Sequence, residues 1–272
     1  MLLSVIIITL NEEKNLKRTI ISARESAKFN DGRSFPIEII VSDGGSTDKT
    51  LEIAKKFADQ VINAPRGRYK QLNTAVEEAN GDVLIFLHAD TILPKTGLLQ
   101  VAYRLKKDKA LIGGGFKKYW DWPSNVKLTS FIKGCNYFFA GIGNWALRLD
   151  KNFPGDNAIF VRKEIFKELD GYSEMWILEG FDFSRKMKRY TKKQSKWPRF
   201  CHNLKRIAYT RPAVLTSTRR FETEGFFRVW LSWVIIYFFW RIVKMPQFRI
   251  RLYFQKYNVV PQENHSEKII RW

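Results

Sequence analysis

Residues 2–10 read LLSVIIITL and residues 83–87 read VLIFL. Both are short, β-branched apolar runs, the mark of parallel strands covered on both faces. Working outward, Glu12 to about Lys28 carries Leu16, Ile20 and Ala23 at helical spacing, and Ile37–Val41 (IEIIV) is a second strand. A helix over Asp48 to about Ala58, a short strand at Val61 and Ile62, and a helix over Tyr69–Ala79 lead into VLIFL, and another helix follows over Leu98–Lys107. Strands alternating with helices of this length predict an α/β, doubly wound, mostly parallel sheet.

Such sheets bind ligands beyond the carboxyl ends of their strands. The residues there are Thr9, Asn11 and Glu12 after the first strand, Ser42 and Asp43 after the second, and His88, Ala89 and Asp90 after the fourth. One such residue alone reads as a loop or helix-cap residue; three strand ends carrying acids or amides on one rim read as a site. No GxGxxG follows the first strand, and neither GxxxxGK[ST] nor GxSxG occurs, which argues against a dinucleotide site, a P-loop and a nucleophile elbow. What remains is SDGGSTDKT at 42–50, where Gly44 and Gly45 permit a tight turn and Ser46 or Thr47 can cap the next helix.

The 272 residues are 45% hydrophobic and 15% aromatic, enough for a sizeable core and too much for a disordered chain. The charge of +20 is uneven: residues 1–110 carry 17 basic and 14 acidic side chains, and the remainder 30 and 13. A near-neutral first part followed by a basic, aromatic-rich second part predicts that the second meets something anionic. Cys135 and Cys201 stand far apart with no CxxC, which argues against a disulfide framework or structural zinc and for a reducing cytosolic compartment. MLLSVIIITLNEE has no basic n-region and no small-residue cleavage site, so it is expected to be a strand rather than a secretory signal.

The motifs make the reading specific. SVIIITLNEE (4–13), VSDGGSTDKT (41–50), GDVLIFLHADTILP (81–94), GDNAIFVRKEIFKELDGY (155–172), LEGFDFSRKMKR (178–189) and TSTRRFETEGFFR (216–228) stand in an order and spacing that resemble a family two glycosyltransferase of the GT-A type. That family transfers sugars from nucleotide diphosphate donors. The variant with HAD, GDNAIFVR and SxRRF resembles a bacterial subgroup of selenodomain-associated or hopanoid- and cofactor-cluster transferases. The resemblance implies a GT-A Rossmann-like sheet flanked by helices: a nucleotide-sugar-binding half over 1–110, an acceptor and catalytic half over 111–224, and a basic, aromatic helical appendage over 225–272.

By resemblance, Thr9, Asn11, Glu12 and Asp43 would hold the base and ribose, with Arg68 approaching the nucleotide; carboxylates and amides can accept from base N–H groups and ribose hydroxyls. Asp90 occupies the place of the last acid of a DxD-like motif, where Mg²⁺ or Mn²⁺ would neutralise the diphosphate. His88 stands in the place of the first acid and reads as structural or ribose-facing. Arg219 and Arg220 would reach the diphosphate with paired N–H groups. Asp156 matches a position near the donor sugar or acceptor, and Trp176 would stack on a sugar or lipid face or sit in the core.

An inverting transfer needs a general base for the acceptor hydroxyl. The family supplies it from a Glu-Asp pair, but here Gly180 replaces the second acid. Glu179 matches the first, and Asp182 shares its face if a helix has begun by then. The departure leaves an inactive nucleotide-sugar-binding relative as an alternative.

Residues 185–199 hold eight Lys or Arg, with Arg185, Lys188, Lys192 and Lys196 at helical spacing, either a solvated face or a surface for an anionic membrane or lipid phosphate. VWLSWVIIYFFW (229–240) extends about 18 Å as a helix against a bilayer core of about 30 Å. Its Trp and Tyr residues and flanking cations favour a helix lying on the membrane, with internal packing or spanning over 226–243 as alternatives. Together these imply a nucleotide-diphospho-sugar donor, a lipid-linked or glycan acceptor, and a cytoplasmic protein peripheral to the inner face of the cell membrane. A nucleotidyltransferase would want a basic Gly-rich loop where TLNEEKN is acidic. A nucleic-acid binder would rest on charge alone, and no nucleic acid is expected.

Overall fold

The computed structural model of the chain describes residues 1–121, 130–175, 178–193 and 206–241. Two units are distinguished, Met1–Thr218 and Arg219–Trp272.

The first unit opens with β1 (Leu3–Thr9), α1 (Leu16–Ser26), β2 (Ile37–Asp43), α2 (Thr50–Phe57), β3 (Gln60–Asn63), α3 (Arg68–Glu78) and β4 (Val83–His88). It continues with β5 (Thr91–Ile92), α4 (Gly97–Lys107), β6 (Gly113–Asp121), α5 (Ser130–Asp150), a 3-10 turn (Gly155–Asn157), β7 (Ile159–Arg162), α6 (Lys163–Glu168), α7 (Glu179–Lys193) and β8 (Ile207–Ser217). The second unit holds α8 (Arg219–Glu224) and α9 (Phe226–Arg241).

The eight strands run in the order β3-β2-β1-β4-β7-β6-β8-β5. β1 pairs parallel with β2 and β4, and β3 parallel with β2, as β-branched runs separated by helices require. β7 enters antiparallel to both β4 and β6, and β8 is parallel to β6 with a register shift between Phe116 and Lys117. The shift leaves Arg211 and Pro212 outside the ladder, which is where a strand accommodates a proline.

Alternation along each strand sends side chains to two apolar layers. Val5, Ile7, Ile85 and Leu87 pack with α1 and α4 on one face; Ile6, Ile8, Leu84 and Phe86 pack with α3 and α7 on the other. With both faces covered, polar residues at the strand ends have only the carboxyl rim to occupy. The helix expected from Asp48 begins at Thr50, and neither Ser46 nor Thr47 caps it: Asp48 Oδ1 accepts from the Thr50 N–H at 2.9 Å, while Ser46 is drawn onto Asp43.

In the second unit Gly225, at φ +85°, joins α8 to α9. Phe227, Leu231 and Val234 are exposed on α9 at helical spacing. Among the described residues no helix is long and apolar enough to cross a membrane.

Candidate active site

The rim begins with a turn that locks two strand ends together. Asp43 is fully buried, and its carboxylate accepts from Thr9 Oγ1 (2.9 Å), the Gly45 N–H (2.9 Å), the Ser46 N–H (2.8 Å) and Ser46 Oγ. Four donors fill the acceptor capacity of a carboxylate, so in this state Asp43 shapes the turn. Gly45, at φ +94°, makes the turn possible. Asn11 joins the same turn, its N–H donating to Ser46 Oγ and its Oδ1 accepting from the Thr47 N–H at 2.8 Å. The Glu12 N–H donates to Thr50 Oγ1, and Glu12 Oε2 accepts from Asn15 Nδ2. Gln71, buried under the turn, donates to the carbonyls of Thr9 (2.8 Å) and Ser42 (2.9 Å) and so ties α3 to both strands.

Beyond β4 the rim becomes a cluster of charges. Glu179, in the first turn of α7, is 4% exposed. Arg68 Nη1, at the start of α3, lies 3.5 Å from Glu179 Oε1, and His88 Nε2 lies 4.0 Å from the same oxygen. Burial pushes the His88 imidazole below its ordinary pKa and Arg68 adds to that, while Glu179, Asp90 and Asp156 oppose it without reversing it. Asp156, in the 3-10 turn, pairs with Lys118 of β6 at 2.6 Å. Burial alone would raise the Asp156 carboxyl, but Lys118, then His88 and Arg68, hold it below the usual carboxylate value. Among the described residues, Asp156 Oδ1 and Glu179 Oε2 are buried acceptors without a hydrogen-bond partner. Such groups are costly unless something supplies a donor.

Strained backbone flanks this cluster. Ala158 (φ 47°) follows the GDN turn and Leu178 (φ 65°) precedes Glu179, in a region that side chains other than glycine's rarely adopt. Gly180 has a clear steric reason. A Cβ there would lie 2.2 Å from the Gly155 N and 2.7 Å from the Gly155 Cα, so the start of α7 rests directly on the 154–155 backbone. An acid at 180 does not fit this packing. Glu179 and Asp182 both stand in the first turn of α7, but their surroundings differ: Asp182 Oδ2 accepts from Ser173 Oγ at 2.8 Å, whereas Glu179 meets His88 and Arg68.

The structure thus brings together Arg68, His88, Asp156 and Glu179, and separately Thr9, Asn11, Glu12 and Asp43. Asp90 is partly exposed just past β4, near enough for its charge to act on His88. Among the described residues no three His, Cys, Asp or Glu side chains form a metal-holding group. Arg219 and Arg220 open the second unit; Arg219 is exposed, and the Arg220 side chain lies outside the described residues. Trp176 also lies outside them. Lys118 was not visible as a site residue in sequence. It belongs to an aromatic stretch, KKYWD, and its partner stands 38 residues away; Asn144, which binds the Lys118 backbone from α5, gave no signal either.

Solved structures share this architecture. S. aureus TarS 1-349 in complex with UDP-GlcNAc is 18% identical, with 92% of this chain and 69% of that one covered at a TM-score of 0.54. The mannosyltransferase PcManGT from Pyrobaculum calidifontis, in complex with GDP-Man and Mn²⁺, is 16% identical, with 90% and 64% covered at 0.58. The sheet order and these likenesses define the fold class as that of the GT-A glycosyltransferases. Within it, the chain belongs to glycosyl transferase family 2, matched over residues 4–170.

Three relatives are similar in sequence. The probable glycosyltransferase YdaM of Bacillus subtilis is 28% identical over 66% of this chain and 45% of its own. A PGL/p-HBAD biosynthesis glycosyltransferase of Mycobacterium bovis is 30% identical over 54% and 56%. The undecaprenyl-phosphate 4-deoxy-4-formamido-L-arabinose transferase of Pseudomonas aeruginosa is 27% identical over 46% and 40%. The chain spans about half the length of the curated relatives it matches.

Proposed function

We propose that this protein is an inverting glycosyltransferase that moves a sugar from a nucleotide diphosphate donor to a hydroxyl on a lipid-linked or membrane-proximal acceptor. The observation that carries the reading is the cluster of Arg68, His88, Asp156 and Glu179 at the strand rim of a family 2 chain, with two buried carboxylate oxygens lacking donors. Sugar hydroxyls are the donors such oxygens need. Relatives and neighbours named for UDP-GlcNAc, GDP-Man and an undecaprenyl-phosphate acceptor support the substrate classes. The HAD, GDNAIFVR and SxRRF motifs support a place in the selenodomain-associated subgroup.

In this mechanism the turn around Asp43, with Thr9, Asn11 and Glu12, receives the base and ribose. The diphosphate draws on Arg68, and the resemblance of the SxRRF motif assigns Arg219 and Arg220 the same kind of role. Glu179 removes the proton from the acceptor hydroxyl as its oxygen attacks the anomeric carbon; the bond to the diphosphate oxygen breaks and the nucleoside diphosphate leaves with that electron pair. Asp156 holds the sugar, and Trp176 stacks on sugar or acceptor. Asp90 would hold a Mg²⁺ or Mn²⁺ that accompanies the diphosphate, and that ion would supply charge neutralisation to the leaving group. His88, held toward neutrality, adds no second full cation beside the Glu179 carboxylate that Arg68 already faces.

Transfer and donor binding measured in parallel test the assignment. Glu179→Gln is expected to bind donor as the parent does while turnover falls by roughly 10²–10⁴. Asp182→Asn is expected to keep most turnover. Equal losses in the two variants would remove Glu179 from the role of base.

A further inference from the structure

α5 presents an apolar face to solvent. Tyr137 (68% exposed), Trp145 (64% exposed) and Leu149 lie at i, i+8 and i+12, with Phe138 and Ile142 at i+1 and i+5, and so form one stripe along a 21-residue helix. Scattered exposed apolar residues are ordinary, but a contiguous row of five is not. Buried Asn144 fixes the helix to the fold: it accepts from the Lys118 N–H (2.9 Å) and donates to the Lys118 carbonyl (2.8 Å).

Cations surround the C-terminal end of this stripe. Arg104 donates to the Tyr209 carbonyl at 3.0 Å, and Lys151 Nζ lies 5.4 Å from the centre of the Tyr209 ring. Exposed Arg148 completes the group, and burial together with these two arginines pushes the Lys151 ammonium below its ordinary pKa. Asp150 pairs with Lys188 of α7, which brings the end of α5 beside the helix that carries exposed Arg189, Lys192 and Lys193.

We infer that α5 is a membrane-docking helix: its aromatic stripe enters the interface of an anionic bilayer while the flanking cations meet lipid phosphates. Tyr and Trp suit that boundary, and basic groups beside an apolar face give the electrostatic half of the attraction. A second protein copy would have to bring six or more cations against their like. The inference rests on the proposed transferase and deepens it. Asn144 clamps α5 to the strand whose Lys118 pairs with Asp156, so a helix lying on lipid would hold the acceptor side of the site at the headgroups.

The full chain is sedimented with vesicles of phosphatidylcholine containing phosphatidylglycerol, and with phosphatidylcholine alone. The parent is expected to partition onto the anionic vesicles only. Phe138→Ser/Trp145→Ser is expected to lose partitioning at least about tenfold, since it removes two large apolar side chains from the bilayer, with melting temperature unchanged. Arg148→Glu is expected to weaken binding to anionic vesicles several-fold. The inference is overturned if the parent stays in the supernatant, if the double variant sediments as the parent does, if it melts lower, or if its only change is a smaller particle in light scattering. Donor-induced thermal stabilisation of the same preparations distinguishes this failure from failure of the transferase reading, because it does not depend on lipid.

Discussion

The chemistry of the rim turns on single side chains whose protonation is set by burial. His88 is the clearest. Its folded-state pKa lies below the unfolded value of about 6.5 because burial and Arg68 disfavour the imidazolium. As pH falls below about 6.5 the unfolded chain takes up a proton that the folded chain refuses, so stability declines, by at most about 1.4 kcal/mol per pH unit from this group. His88→Gln is therefore expected to flatten the fall in melting temperature between pH 7 and pH 5.5; an unchanged slope would mean the imidazole is not held neutral. Lys118 makes the converse case. Removing its charge with Lys118→Met leaves Asp156 in a half-buried site without its 2.6 Å partner, at a cost of roughly 2 kcal/mol. Double substitution with Asp156→Asn should restore part of that loss in a denaturation series, and strict additivity of the two would show that the pair does not interact.

At the scale of elements, legibility follows the kind of signal each segment carries. β1, β2 and β4 were readable because β-branched runs report burial on both faces, and the helices between them because Leu16, Ile20 and Ala23 repeat at helical spacing. β6 and β8 were not: one begins with three glycines and the other carries Arg211 and Pro212 at its register shift, so neither shows a strand pattern. The rim residues of the first half were legible from strand ends, whereas Lys118 and Asn144 enter through pairing between distant segments. Gly180 looked in sequence like the loss of an acid. In the structure it is the contact that seats α7 on the 154–155 backbone and thereby positions Glu179. Gly180→Asp is accordingly expected to lower stability by about 1–3 kcal/mol or more through overpacking and to reduce transfer further; a more active, equally stable variant would show that the acid had simply been missing.

For the whole molecule the division of charge seen in sequence takes structural form. The near-neutral first part builds the sewn turn around Asp43, and the basic second part supplies Lys118, the cations at the end of α5 and the exposed cations of α7. In the proposed function, a donor's two phosphates and an anionic surface would draw on different parts of that charge. If the rim binds a nucleotide-sugar, the melting temperature measured with UDP-, GDP- and dTDP-sugars, each with and without Mn²⁺, will rise with one of them. A donor at about 100 times its Kd adds roughly 2.7 kcal/mol to stability, which is several degrees for a domain of this size. Such a shift is expected for one nucleotide class, enhanced by Mn²⁺ and with that enhancement lost in Asp90→Ala; a folded protein that no donor stabilises, with or without metal, would rule the donor site out.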